Sequence, residues 1–235
     1  AAEGAAVFAV VQRVALSHPE VSVKFLRDGK QELMTPGDGQ LKSAVYAVLG
    51  RELAEGTERF GKRYGVRRIP VVKRQALAGY DPRALKGTGV TCATSPMGGD
   101  HTAGNTIGMP GLDPLGTAGQ VEASRAAQTL MAVFDSLGMC IFSAMPSEDA
   151  AVFGLVGEML AGVYGGSWTP DDVLALGRQT LENEKRFNAG AHIDASEDDV
   201  PAFMREEALP PHDSVFDIPR EQLASTLDFS AGQRG

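Results

Sequence analysis

The sequence is poor in cysteine, in basic charge and in long apolar runs. It contains only two cysteines, Cys92 and Cys140, so a disulfide framework is excluded. Lys and Arg total 22 against 30 Asp and Glu, and the net charge of -8 disfavours nucleic acid as a partner of the whole chain. No apolar run approaches membrane-spanning length, and no charged-then-apolar leader opens the sequence. We therefore expect a cytoplasmic protein with no membrane partner.

Signals for nucleotide binding are also missing. Between residues 55 and 119 the chain is rich in glycine and has few apolar stripes, which predicts a loop-dominated region. Irregular stretches of this length are uncommon in compact domains unless they wrap a ligand. The region has neither the lysine ending of a phosphate loop nor the dinucleotide-binding fingerprint. Its glycines are expected to permit close backbone approach, at Gly87, Gly89, Gly98, Gly99 and Gly104.

The first quarter of the chain predicts a helix, a hairpin and a second helix. Apolar residues at helical spacing lead up to Ser17-His18-Pro19, where the proline ends the first helix. Alternating residues over 21–35 predict a hairpin that turns at Asp28-Gly29. A second helical stripe runs over 41–49. The basic side chains of the hairpin are expected to form a solvated edge that discourages pairing with other strands, at Lys24, Arg27 and Lys30.

Periodic apolar residues predict a helix-rich second half. One stripe ends at Leu137, and Gly138 is suited to leave that helix in a left-handed conformation. Thr169 and Pro170 predict another helix start, as N-cap and first helical residue. A short helix is expected to begin near Pro219. Another helix is expected between Leu137 and Thr169. We attribute its apolar stripe to core packing, with Val152, Val156, Met159 and Val163.

Side chains with acid–base or metal-binding potential occur at three places. Asp100-His101 pairs a carboxylate with an imidazole, although the residues alone favour a hydrogen-bonded structural histidine. The acidic residues at 194–199 do not fit a calcium loop, so we expect a solvated loop there. Cys140 follows a helix end, where it is either a metal ligand or a small buried hydrophobe.

Several segments of the chain are similar to one known family. In chain order they read YDPRALKGTGV, ATSPMGGDHTAGNT, DSLGMC, NEKRFNAG, and LPPH with VFD. Through them residues 55–229 resemble the C-terminal portion of the aldehyde:ferredoxin oxidoreductases, tungsten-pterin enzymes with a 4Fe-4S cluster. The resemblance implies a mostly α fold, with a helical domain over 55–235 that has long glycine-rich loops and an acidic tail. It also implies a small aldehyde as substrate, a carboxylate as product and ferredoxin as electron acceptor.

The resemblance also assigns roles to individual residues. In the family, the aspartate of a DxxGLC-type motif hydrogen-bonds the pterin, and the cysteine of that motif is the fourth cluster ligand. Asp135 then binds the pterin, and Cys140 is the metal ligand. Gly138 and Met139 belong to the same cofactor-binding motif, with Met139 in place of the usual leucine. His101 corresponds to the histidine close to the tungsten, and is assigned the catalytic role of relaying protons.

The cysteine count limits what the resemblance can imply. The other three cluster cysteines of the family come as CxxCxxxC, and this sequence has no such run. Cys92 stands where an aromatic residue is expected, and we assign it no metal. We therefore expect a fragment that is inactive alone, and the sequence has no marker for whether its tungstopterin and 4Fe-4S positions are occupied. The particular aldehyde and the oligomeric state have no marker in the sequence.

The N-terminal quarter is similar to a different family. The run ALSHPEVSVKFLRDGKQELMTPGDGQLKSAVYAVLGRE resembles the start of the transducer subdomain in MutL-type mismatch-repair ATPases. This implies a small α+β fragment over 1–54, to which we assign no ATP site because the family's nucleotide-binding residues lie upstream. The resemblance changes family between residues 51 and 56. One alternative to an oxidoreductase fragment is therefore a non-enzymatic chimeric fusion or an assembly join. A residual mismatch-repair ATPase fragment is the other.

Overall fold

The computed structural model describes residues 2–27, 29–39, 56, 59, 61–140, 142, 150–193 and 195–229. The second helix predicted over 41–49 and the predicted family junction at 54/55 lie outside these residues. The chain divides into two compact units, which are described separately. The first comprises residues 1–69 and 74–76, and the second comprises 70–73 and 77–235.

The first unit contains the predicted helix and hairpin. Helix α1 spans Ala2–Ser17, and strands β1 (Lys24–Arg27) and β2 (Lys30–Met34) pair antiparallel with Arg27 opposite Lys30, as a two-residue turn requires. The small core joins Ala15 of the helix to Leu33 of the hairpin. The strand β4 (Gln75–Ala76) also belongs to this unit.

The buried face of α1 is narrower than the distribution of apolar residues along its sequence suggests. Val7, Val10 and Val14 are about half exposed, whereas Phe8 and Val11 pack against the buried Ala15–Leu33 pair. The helix itself is confirmed. Periodicity located it, but could not tell which of two neighbouring apolar rows faces the hairpin.

The second unit is mostly helical, which confirms the predicted fold class. In the described part of the chain, no helix is long and apolar enough to cross a membrane. Among the described residues, the short strand β3 is followed by α-helices of 5 to 21 residues and by two 3-10 turns. Their bounds are β3 Val71–Val72, α2 Lys86–Thr94, a 3-10 turn His101–Ala103, α3 Gln120–Ser136, α4 Ala150–Tyr164, α5 Pro170–Gly190, a 3-10 turn Ala195–Glu197, α6 Ala202–Glu206 and α7 Arg220–Ala224.

Helix α2 is an exception within the region that the sequence predicts to be loop-dominated. All nine of its residues are buried. A helix surrounded on every side has no amphipathic stripe, so periodicity cannot reveal it. Its glycine at 89 is required by packing: a Cβ there would lie 2.7 Å from the Phe216 ring and 2.8 Å from Pro82. The close backbone approach predicted for this glycine therefore serves packing within the protein.

Helices α3 and α5 form the main packed pair of this unit. The predicted start of α5 is confirmed by a capping box, in which Thr169 Oγ1 accepts from the Asp172 backbone N–H and Asp172 accepts from the Thr169 N–H. Gly177 of α5 faces the carbonyl oxygen of Thr129 on α3 without room for a side chain. The two backbones are therefore in direct contact at this point.

Two predictions about side chains are wrong. In α4, Val156 and Leu160 are buried, but Met159 is 60% and Val163 75% exposed, so core packing does not explain the whole stripe. The loop near residue 198 is not simply solvated. Asp198 forms a 2.5 Å ion pair with Lys73, and both side chains are less than 10% exposed.

Asp199, in the same loop, is also engaged. It accepts hydrogen bonds from Arg205 and Arg220, each at 2.7 Å. The acidic residues therefore neutralise the nearby Arg205 and also Lys73 and Arg220, which lie farther away in sequence, so local patterns do not show these last two pairs.

We predict that Gly177→Ala lowers the free energy of unfolding by about 1–3 kcal/mol, the usual cost of overpacking. The added methyl group would meet the Thr129 carbonyl and force α3 and α5 apart. Gly162→Ala on α4 is the matched control, because nothing lies within 4 Å of its Cβ position. Urea denaturation should show the control unchanged or stabilised by up to about 1 kcal/mol. Equal effects of the two variants would contradict the helix contact.

Candidate functional site

The segment DSLGMC ends helix α3 in a Schellman motif. Gly138 has φ +65°, and its N–H donates to the Asp135 carbonyl at 3.1 Å. The Met139 N–H donates to the Phe134 carbonyl at 2.9 Å, and the Met139 side chain packs against the buried cluster of Met131 and Phe134. These are the two backbone bonds and the apolar contact of the motif. The left-handed exit predicted at Gly138 is confirmed.

The motif gives a structural reason for most residues of the segment. Gly138 and Met139 terminate the helix, Leu137 packs beside the core of α4 and α5, and the Ser136 hydroxyl lies 3.1 Å from that of Thr180. Asp135 is exposed, and no donor in the described chain hydrogen-bonds its carboxylate. Cys140 is also exposed and is not in a disulfide. Helix termination therefore leaves both side chains exposed, and it leaves the Asp135 carboxylate without a hydrogen-bond donor in the described chain.

The loop carrying Asp100 and His101 is shaped by the aspartate. Asp100 Oδ1 accepts from the backbone N–H and from the hydroxyl of Thr102, both at 2.8 Å, and so caps the 3-10 turn. His101 Nδ1 lies 3.7 Å from the same oxygen, which is too far for a hydrogen bond. Asp100 therefore does not fix the tautomer of His101 in this structure.

The His101 ring rests on an aromatic neighbour. The ring centroids of Tyr80 and His101 are 4.6 Å apart, with an angle of 39° between planes. Nδ1 of His101 is buried and has no hydrogen-bond partner in the described part of the protein. The imidazole is thus positioned by its backbone and by the Tyr80 ring, with one nitrogen left unpaired.

Hydrogen bonds among buried hydroxyls connect this loop to helices α2 and α3. Thr91 Oγ1 donates to the Gly104 carbonyl at 2.6 Å and lies 2.7 Å from the Ser124 hydroxyl. Gln128 Nε2 donates to the hydroxyls of Thr94 at 3.0 Å and Ser124 at 3.1 Å. The loop, the buried helix and the helix that ends at Asp135 are therefore fixed to one another.

This arrangement brings Asp100 and Asp135 into one electrostatic group. Partial burial, then the negative charge of Asp100, raises the pKa of Asp135. Burial, then the charge of Asp135, raises the pKa of Glu184 on α5. Burial, then Asp100, raises the pKa of the Cys92 thiol to about 12, so this cysteine is an inert buried thiol at neutral pH.

Glu184 was not identified from the sequence. It lies within NEKRFNAG, but nothing in that segment alone indicates that its carboxyl group lies near Asp135. Together with Ser95 and Gln128, both side chains line a small pocket between α3 and α5. His101 and Cys140 do not line it. The predicted site residues therefore do not all line one cavity.

The described residues do not form a complete metal site. Among them, no group of three or more His, Cys, Asp or Glu side chains could hold a metal ion.

We predict that Asp135→Asn and Glu184→Gln each raise the free energy of unfolding at pH 7, by about 0.5 kcal/mol because solvent screens both groups. Their pKa values are raised in the folded state, so stability is full below the ordinary values of 3.8 and 4.5 and is lost as pH rises through the folded pKa. The gain should therefore vanish near pH 3.5 and grow toward pH 7.

Urea denaturation across that pH range measures the effect. Glu182→Gln is the control, since Glu182 is an exposed residue on the same helix. A loss of stability in both test variants at pH 7, or an equal gain in the control, would contradict the predicted repulsion.

We predict that the folded chain presents one reactive thiol. Cys140 is exposed, whereas Cys92 is 2% exposed with a raised pKa, and the thiolate is the reactive form. A disulfide reagent at pH 8 should label Cys140 rapidly, and Cys92 only after unfolding in urea. Cys140→Ser should abolish the rapid phase and Cys92→Ser should preserve it. Rapid labelling of Cys92 in the folded chain would show that α2 is not buried.

Known proteins similar to this chain fall into two groups. One group comprises tungsten-containing aldehyde ferredoxin oxidoreductases. That of Thermococcus kodakarensis is 32% identical over 182 residues, which are 72% of this chain and 29% of that protein. That of Pyrococcus horikoshii is 33% identical over 182 residues, which are again 72% of this chain and 29% of that protein. The chain thus spans less than a third of the length of these relatives.

The second group comprises DNA mismatch repair proteins MutL. That of Lactobacillus delbrueckii subsp. bulgaricus is 50% identical over 46 residues, which are 20% of this chain and 7% of that protein. Both similarities stated from the sequence are thereby confirmed. The predicted boundary between the two segments stays a prediction.

The family described as "Aldehyde ferredoxin oxidoreductase, domains 2 & 3" matches residues 44–228. The match starts N-terminal to the predicted junction at 54/55, and it includes helices α2 to α7, the Asp100–His101 loop and the turn at 135–140. Because it covers well over half of the sequence, this chain belongs to the aldehyde ferredoxin oxidoreductase family.

Proposed function

We propose that residues 55–235 supply the helical, cofactor-capping part of a tungsten-pterin aldehyde oxidoreductase, and that residues 1–54 are a MutL-like transducer fragment. One observation supports the proposal above the others. In the turn that ends α3, helix termination and packing account for residues 136–139, but the exposed Asp135 carboxylate accepts no hydrogen bond in the described chain. Asp135 is a position at which a cofactor ligand is expected.

The residues present suit a pterin contact. Asp135 offers an exposed carboxylate that accepts no hydrogen bond from the described chain, and a carboxylate acceptor complements the N–H donors of a pterin ring. Gly138 and Met139 hold that carboxylate at a fixed helix end. In this proposal Asp135 orients the cofactor, and the Schellman turn positions Asp135.

The residues present do not suit a complete 4Fe-4S cluster. Such a cluster needs four ligands, usually cysteine thiolates. The sequence has two cysteines, and Cys92 is buried with a pKa raised to about 12. Cys140 would therefore supply one thiolate, with the remaining ligands from outside this sequence. We propose that the chain by itself does not catalyse the reaction.

The proposed reaction converts an aldehyde and water to a carboxylic acid, with release of two electrons and two protons. A tungsten-pterin centre, oriented by Asp135, would supply the two-electron oxidation. In this proposal His101 would accept a proton through its imidazole ring as water adds to the aldehyde carbon. A cytoplasmic location and ferredoxin as partner belong to this proposal.

The test is metal analysis with a visible spectrum after anaerobic purification. We predict that the chain produced alone contains substoichiometric tungsten and iron and lacks the brown absorbance of a cluster. A longer protein that joins residues 55–235 to the upstream portion of the family should contain both metals. In that protein Cys140→Ser should remove the cluster absorbance, and Asp135→Asn should lower the tungsten content.

Cys92→Ser in the longer protein is the matched control and should retain both metals. If the longer protein contains neither metal, the oxidoreductase assignment is wrong. If the chain alone contains both in full amount, the proposal that it is inactive alone is wrong.

The separate similarity to MutL proteins favours a second candidate, a non-enzymatic product of fusion or of an assembly join. Sequencing reads across codons 51–56 distinguish the two origins. Intact reads and an intact transcript across the junction would show a real fusion, and reads that never cross it would show a join.

A further inference from the structure

The turn that connects helix α2 to His101 is held by side chains from two distant segments. Its carbonyl groups accept hydrogen bonds from Lys73, which precedes α2, and from Asn188, near the end of α5. Neither residue has a part in the reaction proposed above. Asn188 belongs to the segment NEKRFNAG, one of the segments that resemble the oxidoreductase family.

Lys73 is fully engaged inside the protein. Its side chain is 6% exposed, and Nζ donates to the carbonyl oxygens of Ala93 at 3.0 Å and Ser95 at 2.9 Å. Asp198 Oδ1, at 2.5 Å, provides the third acceptor. An ammonium group has three donors, so its hydrogen-bonding capacity is filled. Burial lowers the pKa of Lys73, and Asp198 opposes that effect.

Asn188 holds the next residue of the same turn. Its Nδ2 donates to the Pro96 carbonyl at 2.8 Å. Pro96 lies in ATSPMGGDHTAGNT, so this bond connects two of the segments by which the chain resembles the family. Lys73 and Asn188 together fix three carbonyl groups within the four residues 93–96.

The path from Pro96 to His101 is short and internally bonded. The Gly98 N–H donates to the Ser95 carbonyl at 3.0 Å, and the Asp100 N–H donates to the Gly98 carbonyl at 2.7 Å. The His101 ring has no hydrogen bond through Nδ1, so its position depends on this backbone and on the Tyr80 ring. A displacement of the turn at residues 93–96 therefore moves the imidazole.

We propose that Lys73 and Asn188 are positioning residues for His101, which they orient by clamping the turn at residues 93–96. The inference rests on the proposed function for the importance of His101, but the clamp itself is a property of this chain. It can therefore be tested in the chain without cofactors.

The experiment follows the His101 ring by NMR in the 235-residue chain. His101→Asn assigns its ring signals among the four histidines of the sequence. In Asn188→Ala the His101 ring signals should shift, because the ring moves relative to the Tyr80 ring current and its environment changes. Asn183→Ala is the matched control. Asn183 is an exposed asparagine on the same helix, and its side chain accepts hydrogen bonds from Gln179 and Arg186.

A second variant tests the lysine and guards against unfolding. Lys73→Met with Asp198→Leu replaces the buried ion pair by apolar side chains of similar volume, an exchange that proteins often tolerate. His101 signals that shift in this variant and in Asn188→Ala, with little change in the control, would establish the clamp. If Asn188→Ala does not fold, the double variant decides alone.

Unchanged His101 signals in a folded double variant, or shifts as large in Asn183→Ala, would overturn the inference. A purely structural role would lower the melting temperature without moving these signals. If the metal analysis refutes the oxidoreductase assignment, a positive NMR result would still stand as evidence that the turn controls the histidine.

Discussion

Hydrogen bonding among buried hydroxyl and amide groups is the constraint on which the second unit depends. Helix α2 has no exposed face, and its three threonines direct their hydroxyls into the protein. Thr91 reaches the loop at Gly104 and the helix α3 at Ser124, and Thr94 accepts from Gln128 of α3. In a low-dielectric interior such bonds are strong, and an unpaired partner is costly. The loop carrying His101 and the helix carrying Asp135 therefore cannot shift independently of α2.

The segments that resemble the family also contact one another. Lys86, at the start of α2, forms a 2.6 Å ion pair with Asp217, and the adjacent Phe216 packs on Gly89. Arg83 pairs with Asp81 at 2.7 Å and donates to the Glu207 carbonyl at 2.9 Å. Much of the shared sequence thus maintains a common packing arrangement. The similarity therefore supports the fold more directly than it supports activity. Activity would depend on the few residues whose identity packing does not explain.

Sequence patterns predicted the elements whose signals are local. The hairpin followed from a turn pair, α5 from the cap at Thr169, and the end of α3 from Gly138. Helix α2 was not predicted, because a helix buried on all sides lacks a polar face and so has no apolar periodicity. The ion pairs of Asp198 with Lys73 and of Asp199 with Arg220 join residues far apart in sequence, so no local pattern contains them. The same holds for the approach of Glu184 to Asp135. At the site, the residue identities came from family resemblance, whereas their geometry needed the folded chain.

The Schellman turn at Gly138 has an electrostatic consequence as well. The last carbonyls of α3 give that end of the helix a partial negative charge, and Asp135 sits in its final turn. Asp100 and Glu184 add further negative charge nearby. The field at this helix end therefore opposes anions and favours groups rich in N–H donors or positive charge. A phosphate would meet repulsion here, whereas the amino and ring N–H edge of a heterocycle would be attracted to the same place.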